Sequence, residues 1–467
     1  MQRTRTIGVI LFTFVTVFLY IFLWSVCPNV YMNQGFCILC CNIFMCLCLI
    51  YIVSRESFYF FEPIVFVYFM YYMIFVFTPI LNILTNNVDI FGTDTMSGCF
   101  KGTVIFAIGF IALLIGYYSN IYINGRFKNI EQNDEIILEY DKDSLLRYSY
   151  IVWALAVGIY LLYNAMTGRS LLYMLTFGFL SRGLGTSGGF EIDFLSMIIY
   201  CGSLPMMNIL VNEKSKVIKF IVFFVTCVPV ATRGFRSALI IPLLAPFVYY
   251  YIKRKKSPSM KILILVFVLV IFMLGFIGNT RSSMRMGNGL NVEGYTFTDG
   301  IDGAIDYFSS YKAFYGAVQQ YPEIFPYTYG KQLLYAVVMY IPRAIWPNKP
   351  NGWIQEVIGN STNEVARASG SAWPNIGEYY TDGGIIEVVI VMFILGALFR
   401  KMKNMYESPR SESSLLVYSL LLPGLIPIIA YGYTAGNLPT IVFMILPLLG
   451  QRYLVKGSLI YRNEGDT

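Results

Sequence analysis

Histidine is missing from the chain altogether, 0 in 467 residues. That removes a His general base, a His metal ligand and any Ser-His or Cys-His nucleophile pair. Charge is nearly as scarce. Asp, Glu, Lys and Arg together make 13% of the residues, against the roughly 25% of a soluble domain, so a water-facing surface of ordinary size cannot be assembled. No glycine-rich phosphate loop or dinucleotide fingerprint is visible. The net charge of +7 is spread over short loops, which suits membrane topology and not nucleic-acid binding.

What is abundant is apolar: 57% of residues are hydrophobic, in repeated runs of about 20, the length a bilayer span needs. They lie near 7–27, 36–53, 60–84, 103–118, 148–165, 192–211, 217–232, 238–252, 261–278, 383–399, 414–432 and 438–455. The expected fold is an all-α polytopic membrane protein of about 12 transmembrane helices, with residues 1–467 forming a single integral membrane domain. The first run is too long for a cleavable signal peptide and lacks a small-residue cleavage site. Nine cysteines are present, five of them (Cys37, Cys40, Cys41, Cys46, Cys48) in one apolar stretch. The C-x-x-C within CILCC has no second ligand pair, so packing is expected there, with no metal and no structural disulfide.

Lys and Arg orient the spans. With Arg3 and Arg5 in the cytoplasm and strict alternation, 22 of the 34 basic residues fall inside, including Lys253-Arg254-Lys255-Lys256 and Arg400-Lys401-Lys403. Every short basic loop then lies on one side and both termini are cytoplasmic. One long external segment remains, 279–382. Segments of that length usually carry function or their own structure. From Thr298 to Tyr321 the apolar residues keep helical spacing, with Asp299 and Asp302 where a helix N-terminus favours anions; an amphipathic helix at the external interface is expected. Asp306 with those two acids does not make a metal site, because the helix end already accounts for them. Leu333–Ile345, cut by Pro342 and Arg343, is too short to span and reads as a re-entrant or surface helix.

External basic residues are the first candidates for chemistry, since the inside bias does not explain them. Eight of the twelve are Arg, whose planar guanidinium grips phosphate oxygens in a bidentate way. Arg233 and Arg236 stand three residues apart in TRGFRS; Arg281 and Arg285 have helical i, i+4 spacing. The alternative is that such arginines snorkel to headgroups. External carboxylates come second. Glu378, in SAWPNIGEYYTDGG, stands among Trp373, Tyr379, Tyr380 and Asp382 just before the tenth run. Aromatic walls beside a carboxylate suit a sugar site, because rings stack on pyranose faces while carboxylates bind hydroxyls. An interfacial aromatic belt with a solvated acid is the competing expectation.

YIPRAIWPNKP (340–350) and NIGEYYTDGGIIEVVIVMFILGAL (375–398), with TRGFRSALI (232–240), resemble the Wzy-type O-antigen polymerases, also called oligosaccharide repeat unit polymerases. The shared features are a PR-x-x-WP-x-KP stretch, a GE-x-Y motif leading into a late span, and an arginine-glycine entry into a central span. The architectural likeness covers nearly the whole chain and the motifs about 40 residues. The arginine-plus-ten-plus-glycine pattern of some members is absent at Arg169 and Arg182, which leaves those two outside the candidate set.

The resemblance implies a bacterial glycosyltransferase of GT-C-like architecture. It would join undecaprenyl-pyrophosphate-linked repeat units into O-antigen, capsule or exopolysaccharide on the outer side of the cytoplasmic (inner) membrane. No cofactor is expected, because the donor carries its own leaving group. Glu378, Arg233, Arg281 and Arg343 are the expected catalytic residues, Glu378 to orient or deprotonate the acceptor hydroxyl and the arginines to neutralise charge on the departing pyrophosphate. Arg236, Arg285, Trp346, Lys349, Arg367, Trp373, Tyr379 and Tyr380 are the expected substrate contacts. Expected partners are the lipid-linked oligosaccharides and membrane lipids, together with a chain-length regulator and a flippase. Two rival readings are a flippase of lipid-linked repeat units and another lipid-linked-sugar glycosyltransferase. The long external segment argues against the first. Ligases and membrane-bound acyltransferases that work through His are excluded by composition.

Overall fold

The computed structural model describes residues 29–54, 59–90, 93–119, 136–166, 197–232, 236–259, 297–338, 373–407, 411–432 and 434–461, with shorter stretches between 10 and 25, 261 and 270, and 341 and 348. Over these the chain is an all-helical membrane protein with two small strand pairs. In chain order the helices are α1 (Met32–Val53), α2 (Pro63–Leu84), α3 (Cys99–Tyr118), α4 (Lys142–Met166), α5 (Ser203–Asn212), α6 (Lys216–Thr232) and α7 (Arg236–Lys253). They continue as α8 (Phe297–Phe308), α9 (Tyr311–Gln320), α10 (Lys331–Val338), α11 (Asn375–Glu407), α12 (Glu412–Tyr431), α13 (Thr434–Ile445) and α14 (Pro447–Leu454).

Among the described residues six helices are long and apolar enough to cross a bilayer: α1, α2, a segment Met96–Tyr118 containing α3, α4, α11 and α12. Shorter apolar helices cover Met197–Asn212, Leu239–Lys253 and Lys261–Val270. Over the described residues the structure carries most of the apolar runs as helices, several shorter than a full span; the run at 7–27 and the second half of 261–278 lie largely outside those residues, and the count of twelve is not itself given.

Local sequence explains the helix ends. Pro63 opens α2 behind an extended Glu62, where the missing N–H costs nothing. The Ser411 hydroxyl accepts the Ser414 N–H at 3.2 Å and caps α12. The central joint of the bundle is α3 against α11, and small residues set its spacing. A Cβ on Gly116 would fall 2.1 Å from the Phe393 carbonyl oxygen, and one on Gly396 would fall 2.1 Å from that of Leu113. Close backbone approach through glycine is how helices gain packing where lipid removes the hydrophobic drive between them. Aromatic side chains fill the core beside this joint; Phe75 and Phe106 stack with centroids 4.1 Å apart. A second core joins α4, α5, α6, α7 and α12 around Tyr160, Met206 and Ile241.

Polar contacts gather at two opposite ends. At one, Lys403 pairs with Glu62 at 2.9 Å, Tyr117 Oη donates to Glu62, and Lys253 pairs with Glu412. Strand β3 (Ile136–Tyr140) pairs antiparallel with β4 (Gly457–Tyr461) on the loop side of α4 and α14. At the other end, Lys312 Nζ donates to Asn87 Oδ1 at 2.8 Å and Lys101 Nζ to the Tyr321 carbonyl at 3.1 Å. The two-residue ribbon Asp89–Ile90 with Thr93–Asp94 sits between helix ends there.

Two sequence expectations change, and a third falls partly outside the described residues. The stretch from Thr298 to Tyr321 is not one helix but two, α8 and α9, parted at Ser309–Ser310. Nor does α9 lie on a surface: Tyr311, Phe314 and Tyr315 are fully buried in the main core. Its apolar residues occupy more than one stripe, and helical spacing alone does not separate an interface from a core. The helix expected over Leu333–Ile345 is described over Lys331–Val338. Finally, the span expected from 383 begins eight residues earlier, because α11 starts at Asn375 and passes a kink at Gly383–Gly384.

Candidate functional site

The GEYYTD stretch therefore occupies the first turns of a kinked helix instead of a loop before one. Glu378 is 2% exposed. Its two carboxylate oxygens each accept the Thr434 N–H at 3.0 Å, and Oε2 also accepts the Thr434 hydroxyl at 2.9 Å. Thr434 is the first residue of α13. Its N–H is one of the donors a helix N-terminus leaves unpaired, and the positive end of the helix favours an anion there. Gly432, in a left-handed conformation at φ 53°, brings the α12–α13 turn against the start of α11. A Cβ there would meet Asn375 Cα and the Trp373 carbonyl at 3.2 Å.

This corrects the picture of a solvated acid among aromatic walls. Tyr379 and Tyr380 are 3% and 4% exposed, Trp373 packs with Ala313 and Ala317, and Tyr380 Oη donates to the Tyr321 carbonyl at 3.2 Å. Trp373 and Tyr380 pack against α9, and Tyr379 is buried in the main core, so the three rings are not free to stack on a sugar in this arrangement. Glu378 holds the start of α13 in place, a positional duty additional to the proton-accepting one expected of it.

Further along α11, Asp382 is 1% exposed. Its Oδ1 accepts the Thr328 hydroxyl and, at 2.8 Å, the Gly330 N–H, and its carbonyl accepts the Tyr329 N–H at 2.7 Å. Gln332 on α10 donates to the hydroxyls of Thr328 and Thr381 at 3.0 and 3.3 Å. The turn that starts α10 is thus stitched to α11 through Thr381 and Asp382. Glu387 reaches back across the kink, its carboxyl lying over Gly383 beside Asp382.

Of the residues expected from sequence, the structure brings together Glu378, Trp373, Tyr379 and Tyr380. Trp346 is described separately and is 37% exposed. Arg233, Arg281, Arg285, Arg343, Lys349 and Arg367 lie outside the described residues; Arg236 opens α7, with its side chain outside them. Sequence reasoning passed over Thr434, Thr328, Gln332 and Glu387. Glu387 had a usable signal: it is a carboxylate inside an apolar run, GGIIEVVIV, and charge within a span is costly and usually functional.

Near the same end a cavity of about 420 Å³ opens between α1 and α3, lined by Asn33, Cys37, Cys40, Cys99 and Thr103 among others. Part of the cysteine cluster expected to pack thus borders open space. No group of three or more metal-ligating side chains is found among the described residues. In comparison with known proteins, a family model described as O-antigen polysaccharide polymerase Wzy matches residues 7–450. No curated protein and no solved structure matches the chain.

Proposed function

The chain belongs to the O-antigen polysaccharide polymerase Wzy family, glycosyltransferases that polymerise lipid-linked repeat units, and from that premise we propose where and how this member does so. The reaction sits at the end of the bundle where α9, α10, α11 and α13 converge. That end faces away from the cytoplasm, and the basic clusters 253–256 and 400–403 mark the cytoplasmic side. The protein resides in the bacterial cytoplasmic membrane with both termini inside, about 12 spans in a GT-C-like arrangement and 279–382 as its large external segment.

The donor is a growing glycan on undecaprenyl pyrophosphate, and the acceptor is the terminal hydroxyl of a repeat unit on a second carrier. The acceptor oxygen bonds to the donor's anomeric carbon as the bond to pyrophosphate breaks, and the hydroxyl proton passes to the Glu378 carboxylate. No nucleotide enters, because the leaving group arrives with the donor. Arg233, Arg281 and Arg343 neutralise charge building on the departing pyrophosphate, which is electrostatic stabilisation of the transition state. Arg236, Arg285, Lys349, Arg367 and Trp346 line the approach. Glu378 keeps the catalytic end in register through Thr434 and orients the acceptor. A chain-length regulator and a flippase work beside the polymerase.

The observation that carries this reading is the family match over residues 7–450, joined to a buried carboxylate-rich end built by the GEYYTD stretch. Deleting the gene tests it. The expected result is surface glycan capped at a single repeat unit, with single-repeat lipid pyrophosphate accumulating. Repeat units trapped on the cytoplasmic leaflet, with no capped product, would mean a flippase instead.

A further inference from the structure

Two carboxyl groups come close at the kink of α11, and no cation pairs with either among the described residues. Asp382 Oδ2 and Glu387 Oε1 are both buried and neither accepts a hydrogen bond, and the Glu387 carboxyl folds back over Gly383, the residue next to Asp382. Both groups are acceptors only when ionised. Two like charges side by side, on a half-buried Glu387 and an Asp382 that is 1% exposed, repel each other strongly enough to disfavour ionising both. A single shared proton resolves this: one carboxyl becomes a donor and the other receives it.

The kink is shaped for this contact. A Cβ on Gly383 would lie 2.3 Å from Glu387 Oε2, so only glycine lets the Glu387 carboxyl fold back along the helix. Gly384, at φ 67°, presents its open face to the Tyr327 ring, where a Cβ would come within 3.0 Å. The same two glycines therefore admit Glu387 from one direction and Tyr327 from another. Asp382 is the common member: Oδ2 is buried without a partner while Oδ1 holds Thr328 and Gly330. What it holds is the start of α10, and α10 leads in five residues from Val338 to Arg343 of the PR-x-x-WP stretch.

We propose that Asp382 and Glu387 hold one proton between them, and that this acid pair is the clasp that seats the 327–338 segment on α11 for glycosyl transfer. Asp382 then accepts from three donors, namely Thr328, Gly330 and the Glu387 carboxyl. Both residues are positioning residues, acting through the 327–338 segment they seat. This role rests on the polymerase reading above; the shared proton does not.

The full-length protein, purified in nanodiscs, and a deletion strain carrying each variant provide the test. Difference infrared spectra of wild type against Glu387→Gln should show the carbonyl band of a protonated carboxylic acid in wild type and its loss in the variant. In cells, Glu387→Ala and Asp382→Ala should lose the long-chain glycan ladder at normal protein level. Glu387→Gln should restore it, since an amide N–H donates where the shared proton did. Absence of the acid band in wild type overturns the shared proton. Long ladders from both alanine variants overturn the clasp. Loss of the ladder in Glu387→Gln as well as Glu387→Ala also overturns it, because an ionisable carboxyl would then be required. If gene deletion leaves long glycan intact, the polymerase reading fails while the infrared result still decides the proton.

Discussion

Lys403 and Glu62 stand 2.9 Å apart at the basic end of the bundle, 341 residues distant in the chain, with side chains 13% and 4% exposed. The pair ties the start of α2 to the end of α11, and Tyr117 Oη from α3 donates to the same Glu62 oxygen. Three helices thus share one acid. Removing one partner of a buried pair strands the other's charge, at a cost of about 3–5 kcal/mol, whereas replacing both by apolar or neutral groups is often close to neutral. Lys403→Met should therefore lower thermal stability in detergent clearly, and Lys403→Met with Glu62→Gln should recover most of the loss. Equal melting temperatures for the single variant and wild type would show that the pair contributes nothing.

Sidedness yields a second expectation. Reporters fused after Lys256 or Lys403 should read cytoplasmic, and one placed near Asn351 should read external. A cytoplasmic signal near Asn351 would mean that the chain crosses the bilayer again after α10 and that the catalytic end has been assigned to the wrong face.

The spans were the legible part of this sequence, because a run such as 36–53 is apolar whatever surrounds it; α1 covers Met32–Val53. The candidate site was legible only in part. Glu378 stood out by its motif and its aromatic neighbours, yet the motif reads the same in a loop as in the first turns of α11. Its partner Thr434 lies 56 residues away, and no local pattern links a carboxylate to the N–H of a distant helix start. Tyr311, Phe314 and Tyr315 fit either an interfacial stripe or a core, and only their neighbours on α2 and α3 decide. The Asp382–Glu387 contact depends on the backbone turning at Gly383–Gly384, which helical spacing does not anticipate.

The Glu378–Thr434 link makes a third prediction, best read as a double-mutant cycle. Glu378→Ala strips the cap from α13 and leaves a buried helix N-terminus without its anion, while Thr434→Val removes the hydroxyl donor and keeps the N–H. Because the two residues contact each other, their effects should not add: a coupling of roughly 0.5–3 kcal/mol is expected for such neighbours. Additive losses in stability would mean that the carboxylate acts elsewhere. A ladder shortened by Glu378→Gln at unchanged stability would support the proton-accepting role expected from the sequence.

The arginines separate charge from geometry. If Arg233, Arg281 and Arg343 hold pyrophosphate through paired hydrogen bonds, a lysine at each position keeps the charge but loses the planar fork. Losing one charge-assisted contact made in the transition state costs about 2–4 kcal/mol, or roughly a hundredfold in rate. A snorkelling arginine behaves differently, since lysine reaches headgroups equally well. Arg→Lys at the three positions should shorten or abolish the glycan ladder at normal membrane level, while Arg126→Lys and Arg147→Lys, on the proposed cytoplasmic side, should leave it unchanged. Full ladders from all three external variants would remove the pyrophosphate assignment. Catalysis would then have to be sought among the carboxylates of α11 alone.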